Sequence, residues 1–204
     1  QNPEGSPQNV NILIYNNKIL AVGPELPDTW QNVDFVKVIN AKDLIITPGL
    51  IDQHIHGGYG CDFNACNFEK INTLVENLPK HGITSIVPTI MTDFESTILD
   101  QSNIISQYMQ NQPPKTTKLS GIHLEGPFFC NKFKGIHPEK LLTIPTIENY
   151  KKIERSEISI VSFAPELDNG FKLTKYLVSK GVIASAGHTN ATYEEIQEGI
   201  NQGI

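Results

Sequence analysis

From residue 48 onward the sequence alternates short apolar runs with amphipathic stretches, five times in succession. Nothing else in the chain restricts its fold as much. Strands are expected over 50–57, 84–90, 118–125, 158–164 and 182–187, and helices over 68–81, 95–110, 146–155, 171–180 and 192–202. The first helix places Ile71, Leu74, Val75 and Leu78 on one face, and Gly82 stops it. The second places Ile98, Leu99, Ile105 and Met109 on its apolar side. Strand–helix alternation implies a parallel sheet with helical crossovers, either doubly wound or closed into a (β/α)8 barrel. The first strand–helix turn lacks Gly-x-Gly-x-x-Gly, which disfavours the dinucleotide-binding open sheet. A full barrel takes about 250 residues, so the stretch from residue 48 holds about five of eight units. Residues 1–47 read instead as a small β-sandwich portion. Its expected strands are 11–15, 19–23, 33–39 and 44–46, with a turn at Asn16-Asn17-Lys18.

Composition excludes several function classes. The 204 residues carry 16 Lys+Arg against 22 Asp+Glu, a net charge of −6, so a phosphate-tracking nucleic-acid surface is not expected. No apolar run is long enough to span a membrane. The polar segment 1–8 has neither the basic nor the apolar part of a secretion leader. Cys61, Cys66 and Cys130 are therefore expected as free thiols in a reducing cytoplasm.

Three segments carry candidate chemistry. In Asp52-Gln53-His54-Ile55-His56-Gly57-Gly58, strand alternation turns Asp52, His54 and His56 to one side, and two imidazoles at i and i+2 can converge on one metal ion. In His123-Leu124-Glu125-Gly126-Pro127, His123 and Glu125 share a face, and Gly126-Pro127 ends the strand so that Glu125 is exposed at its tip. Glu125 there is a metal ligand, a base, or simply the partner of a basic neighbour. In Gly187-His188-Thr189-Asn190-Ala191-Thr192, His188 follows the fifth strand, and Thr189 or Asn190 caps the next helix. Each signal alone has a plain structural explanation. Together, three histidines and a carboxylate at C-terminal strand tips form an N/O donor set at the place where parallel α/β folds assemble active sites. No cysteine spacing suggests a closed structural thiolate site.

These motifs resemble a known family. Ile46-Thr47-Pro48-Gly49-Leu50-Ile51-Asp52-Gln53-His54-Ile55-His56-Gly57 resembles the first barrel strand of the amidohydrolase superfamily. His123-Leu124-Glu125-Gly126-Pro127-Phe128, with Gly187-His188-Thr189-Asn190-Ala191, resembles the N-acetylglucosamine-6-phosphate deacetylase family. The resemblance implies a homodimeric (β/α)8 barrel flanked by a small β-sandwich. One or two divalent metal ions sit at its mouth, zinc first, with iron, cobalt, nickel or manganese as alternatives. The reaction it implies removes acetate from N-acetylglucosamine 6-phosphate. By matched position, Glu125 and His188 are metal ligands, His54 and His56 the pair that completes a second metal site, and the Ile136 backbone and His137 substrate contacts. Without the resemblance, His137 reads as an exposed loop histidine.

The family's catalytic aspartate and a further histidine ligand fall beyond Ile204, so no catalytic acid is assigned and the chain reads as the N-terminal portion of a family member. Two other readings stand beside this one. A cyclic-amide hydrolase of the same superfamily would carry a lysine on the fourth strand, where Ser162 is the polar residue. A non-enzymatic fragment would keep metal or sugar-phosphate binding alone.

Overall fold

A computed structural model of the chain describes residues 9–26 and 37–204. The chain divides into two units, Gln1–Pro48 and Gly49–Ile204. In the first, β1 (Asn11–Tyr15) and β2 (Lys18–Gly23) form an antiparallel hairpin. Asn16 and Asn17 take φ of 48° and 60° at its turn, the left-handed conformation that asparagine tolerates and a two-residue hairpin requires. Of the other two expected strands, residues 33–36 lie outside the described residues and Lys37–Ile39 are irregular. Residues 44–46 are irregular too, because an apolar run becomes a strand only where a neighbour completes its ladder, and no described segment pairs with it.

The second unit contains the strand–helix repeats. Its first strand, β3 (Leu50–Ile55), is followed by a small hairpin of β4 (Gly57–Gly58) and β5 (Cys61–Asp62), then by α1 (Phe68–Asn77), which runs on into a 3-10 turn at Leu78–His81. Next come β6 (Ile83–Met91), α2 (Glu95–Gln110), β7 (Lys118–Leu119), β8 (Ile122–Glu125) and α3 (Ile147–Lys151). The last elements are β9 (Ile158–Phe163), α4 (Lys172–Ser179), β10 (Ile183–Ala186) and α5 (Tyr193–Gln202).

The parallel strands lie in the order β3-β6-β8-β9-β10, with the short β7 beside β6. Each strand therefore neighbours the next one in sequence. That is the singly wound order of a barrel. A doubly wound sheet reverses direction at a switch point, and none occurs here. The chain has five units of a (β/α) barrel.

The helices form because their apolar positions fall on one stripe. Ile71, Leu74 and Val75 of α1 are buried, as are Ile98 and Ile105 of α2 and Leu173 and Leu177 of α4. They join Ile86, Ile90, Ile122, Leu124, Val161 and Phe163 from the strands in one core. Asn67, Thr146 and Thr192 accept N-cap hydrogen bonds on α1, α3 and α5, and Thr192 forms a reciprocal capping box with Glu195. The cap of α5 is thus Thr192, not Thr189 or Asn190. Asp168 is a buried carboxylate with a structural role. It accepts from the Leu173 and Thr174 amides and the Thr174 hydroxyl at the start of α4.

In this second unit, two expected elements depart most from their patterns. The strand expected over 118–125 breaks at Ser120-Gly121, where Gly121 takes φ of 152° and a Cβ would overlap the Ser159 side chain. The helix expected over 146–155 keeps only 147–151 as α-helix.

Candidate metal centre

The side chains expected to act together meet at the C-terminal ends of β3, β8 and β10, around one carboxylate. Glu125 Oε1 lies 3.2 Å from His188 Nε2 and 3.6 Å from His54 Nε2. Its Oε2 lies 3.4 Å from His56 Nε2 and 3.7 Å from His137 Nε2. Strands β3 and β10 are four inter-strand spacings apart, about 19 Å in a flat sheet. That His54 and His188 reach the same oxygen means that the sheet curls strongly, with the cluster on its concave side. A cavity of about 410 Å³ opens there, lined by Gln53, His54, His123, Glu125, Ser162 and His188 among others.

Strand alternation does not survive intact in β3. The register slips between Asp52 and Ile55, so Gln53 and His54 both line the cavity. Asp52 turns its carboxylate back to the His54 amide, at 3.1 Å. His56 lies just past the strand, and its carbonyl accepts from Phe63 N at 2.9 Å. The two imidazoles converge as expected, with Nε2 atoms 3.0 Å apart.

Glu125 itself is buried, 7% exposed, and not the exposed tip that its Gly-Pro flank suggests. The Gly126-Pro127-Phe128-Phe129 segment folds over the site instead of leaving it. Gly126 takes φ of 90°, and a Cβ there would overlap Thr92 Oγ1. His137 is a larger departure from expectation. It is 1% exposed, walled in by Phe129 and His188, whose rings lie 4.7 and 4.8 Å away. Burial pushes its pKa below the ordinary histidine value. Ile136, beside it, is 83% exposed.

Hydrogen bonds set the histidine tautomers. His188 Nδ1 lies 3.0 Å from the Phe133 carbonyl, which can only accept, so Nδ1 carries the proton. Nε2 then faces Glu125 Oε1 at 3.2 Å, where it donates if the ring is doubly protonated and offers a lone pair to a metal if it is not. Thr92 Oγ1 donates to the Glu125 carbonyl at 3.3 Å, which leaves it to accept from His137 Nδ1 at 2.9 Å. The His137 Nε2 lone pair also faces the carboxylate. Lone pairs aimed at a carboxylate repel it unless a cation lies among them, and such donors, held from behind by carbonyl and hydroxyl groups, are what a divalent metal requires. His56 Nδ1 is buried without a hydrogen-bond partner among the described residues, so nothing there fixes that ring's tautomer from behind. Among the described residues, two sets of donor atoms lie close enough to hold an ion: His54, His56 and Glu125, and Glu125, His137 and His188, each with its atoms within 4.8 Å of one another.

His123 differs from these. Its Nδ1 is 3.3 Å from the Gln53 carbonyl and its Nε2 2.8 Å from the Ser162 hydroxyl. Burial, with His54 adding to it, lowers its pKa to about 4. It is a satisfied neutral wall of the cavity.

Comparison with known proteins gives this arrangement a context. No family model matches the sequence. The N-acetylglucosamine-6-phosphate deacetylase of Bacillus subtilis is 34% identical over 190 residues, covering 90% of this chain and 47% of that protein. The crystal structure of the deacetylase of the same name from Pasteurella multocida superposes with a TM-score of 0.81 at 25% identity, covering 98% of this chain and 52% of that one. A mutant N-acetyl-D-glucosamine-6-phosphate deacetylase from Mycobacterium smegmatis, solved in complex with N-acetyl-D-glucosamine-6-phosphate, superposes with a TM-score of 0.75 at 27% identity, covering 91% and 47%.

The chain is a relative of the N-acetylglucosamine-6-phosphate deacetylases.

It spans about half the length of the curated deacetylases it matches. Within that half lie all six residues that the resemblance singled out. Five of them, Glu125, His54, His56, His188 and His137, are brought together, and Ile136 lies on the adjoining loop. Sequence reasoning missed the residues that orient them. Thr92 and the Phe133 carbonyl fix two tautomers, and Phe129 packs on His137 and, at 4.4 Å, on His188. The only sequence signal for Phe129 was its place two residues after Gly126-Pro127; Thr92 and Phe133 carried none.

Proposed function

We propose that this chain forms part of a metal-dependent deacetylase acting on the acetamide of N-acetylglucosamine 6-phosphate, giving glucosamine 6-phosphate and acetate. The observation that carries the reading is the single buried carboxylate ringed by four imidazoles, in a chain whose relatives bear that activity in their names. Glu125 and His188 would hold the principal ion, and His54 with His56 would complete a site for a second one. Zinc suits the imidazole and carboxylate donors best, with iron, cobalt, nickel or manganese able to replace it. When bound, such an ion polarises an amide carbonyl and acidifies water.

The protein's own residues do the rest. Glu125 neutralises positive charge from below. Phe133 and Thr92 keep Nε2 of His188 and His137 turned inward. In the loop from Lys134 to Pro138 the Ile136 backbone would meet the sugar phosphate, while His137, 1% exposed, would reach the substrate only at the Glu125 end of the site. In the overall reaction the C–N bond of the acetamide breaks as water is added, and the nitrogen leaves as the free amine of the sugar.

Among the described residues no helix is long and apolar enough to cross a membrane. A cytoplasmic homodimer is the assembly that the reading implies. The test is acetate release from N-acetylglucosamine 6-phosphate by the purified chain with Zn²⁺ supplied. Turnover that is abolished by E125A supports the assignment. A folded chain that binds Zn²⁺ and releases no acetate sinks the enzymatic reading for this chain and leaves binding alone.

A further inference from the structure

His188 stands two residues beyond the end of β10, with φ of 49°. A non-glycine residue holds that left-handed conformation only where its neighbours impose it. Before it, Gly187 N donates to the Phe163 carbonyl at 3.0 Å. At the residue itself, Cys130 N donates to the His188 carbonyl at 3.0 Å, and the ring donates to Phe133. After it, the chain is gripped by a carboxylate outside the cluster. Glu166 Oε1 accepts from Asn190 N at 2.7 Å, and Oε2 accepts from the Thr189 hydroxyl. The same hydroxyl oxygen accepts from Ala191 N at 2.9 Å, which closes the turn on itself.

We propose that Glu166 is a positioning residue for His188, acting through Thr189 and Asn190 to hold Nε2 towards Glu125. This rests on the reading of His188 as a metal ligand. Glu166 comes from the 3-10 turn Pro165–Leu167 that follows β9, the strand beside β10. It therefore ties the one ligand on the last strand to the better-buried strand next to it. Both of its bonds run to an ionised acceptor, the stronger kind of hydrogen bond, and both reach residues immediately following the ligand. The same contacts are compatible with a plainer role, in which Glu166 staples two loops with no bearing on the imidazole. The two roles separate experimentally, because only the first changes the ring.

The test compares the full chain with E166A, E166Q, T189V and H188A. Two quantities are read: Co²⁺ affinity, and the tautomer of His188 in the metal-free chain by imidazole nitrogen NMR. E166A should weaken Co²⁺ binding about tenfold, the scale at which groups behind a ligand act, and let His188 populate both tautomers. E166Q keeps an acceptor for Asn190 N–H and should recover most of both. E166A added to H188A should cause no further loss. Wild-type affinity and an unchanged tautomer in E166A overturn the proposal, and so does an equal loss in the H188A background. If E166A fails to fold, T189V, which removes one of the two contacts, must shift the tautomer the same way or the proposal falls. If the wild-type chain and H188A bind Co²⁺ alike, the metal reading has failed, and the metal-free tautomer alone decides the part of Glu166.

Discussion

The middle of the parallel sheet and its two edges are built differently. All four residues of β8 are buried, as are most of β6 and β9. In β3 and β10 most residues are half-exposed or exposed, with Leu50, Ile51 and Ile183 each more than half accessible. The donor set draws on both. Glu125 comes from the packed centre, and three histidines come from the edges or just beyond them. In the centre, burial on all sides holds the side chains, with hydrogen bonds such as His123 to Ser162 added to it. At the edges, hydrogen bonds from elsewhere take over: Phe133 and Glu166 for His188, Thr89 and Phe63 for the segment carrying His54 and His56. A shared site of this kind needs one immobile member, and the carboxylate at its centre fills that part.

The sharpest way to break this comparison is to truncate one residue in each region. Leu124→Ala, in the core beneath the site, should cost about 2–5 kcal/mol of stability in a denaturant titration. Leu50→Ala, 60% exposed on β3, should stay within about 0.5 kcal/mol. Equal costs would mean that the edges are as tightly packed as the centre. Next in size is the donor set itself. E125Q should lower Zn²⁺ affinity by about a hundredfold or more, since both donor sets share that carboxylate, whereas H54A and H188A should each cost about tenfold, by isothermal titration. A larger loss from H54A than from E125Q would put the anchor at the edge. A further effect is electrostatic. His123 is neutral in the fold, with a pKa near 4, and takes up a proton near 6.5 when unfolded. The unfolded chain binds the extra proton between those values. Stability from this group is therefore complete above about pH 6.5 and lost as pH falls towards 4. The unfolding temperature of the metal-free chain should decline across that window, and H123Q should flatten the decline.

Sequence pattern served best where structure is local and periodic. Helix α2 spans 95–110 as its period indicates, and the buried stripe of α1 is the one read from its spacing. It served less well where distant segments decide. His137 looks exposed in a Gly/Pro-flanked loop, yet its burial comes from Phe129, Thr92 and His188, the last of them 51 residues away in the chain. The Gly-Pro after Glu125 reads as an exit to solvent, and only the seating of Gly126 against Thr92 shows that the chain folds back over the site. The irregular segment 44–46 makes the same point in reverse: apolar residues in a row do not make a strand where no partner lies alongside. Four residues of the candidate metal site, His54, His56, Glu125 and His188, stood out in the sequence because residue type at strand ends carries their chemistry, and His137 did not. The groups that aim them did not either, because a threonine or a backbone carbonyl has no signature of its own.

The strand order also bears on how such a chain is made. Because each of the five main parallel strands lies beside the main strand before it in sequence, each new strand–helix unit leaving the ribosome finds its docking edge already synthesised. The sheet can therefore be laid down in the direction of translation, one unit at a time, with little waiting for distant partners. Glu125 precedes His188 by 63 residues, so the strand that carries the carboxylate can be laid down before the histidine that follows β10 leaves the ribosome.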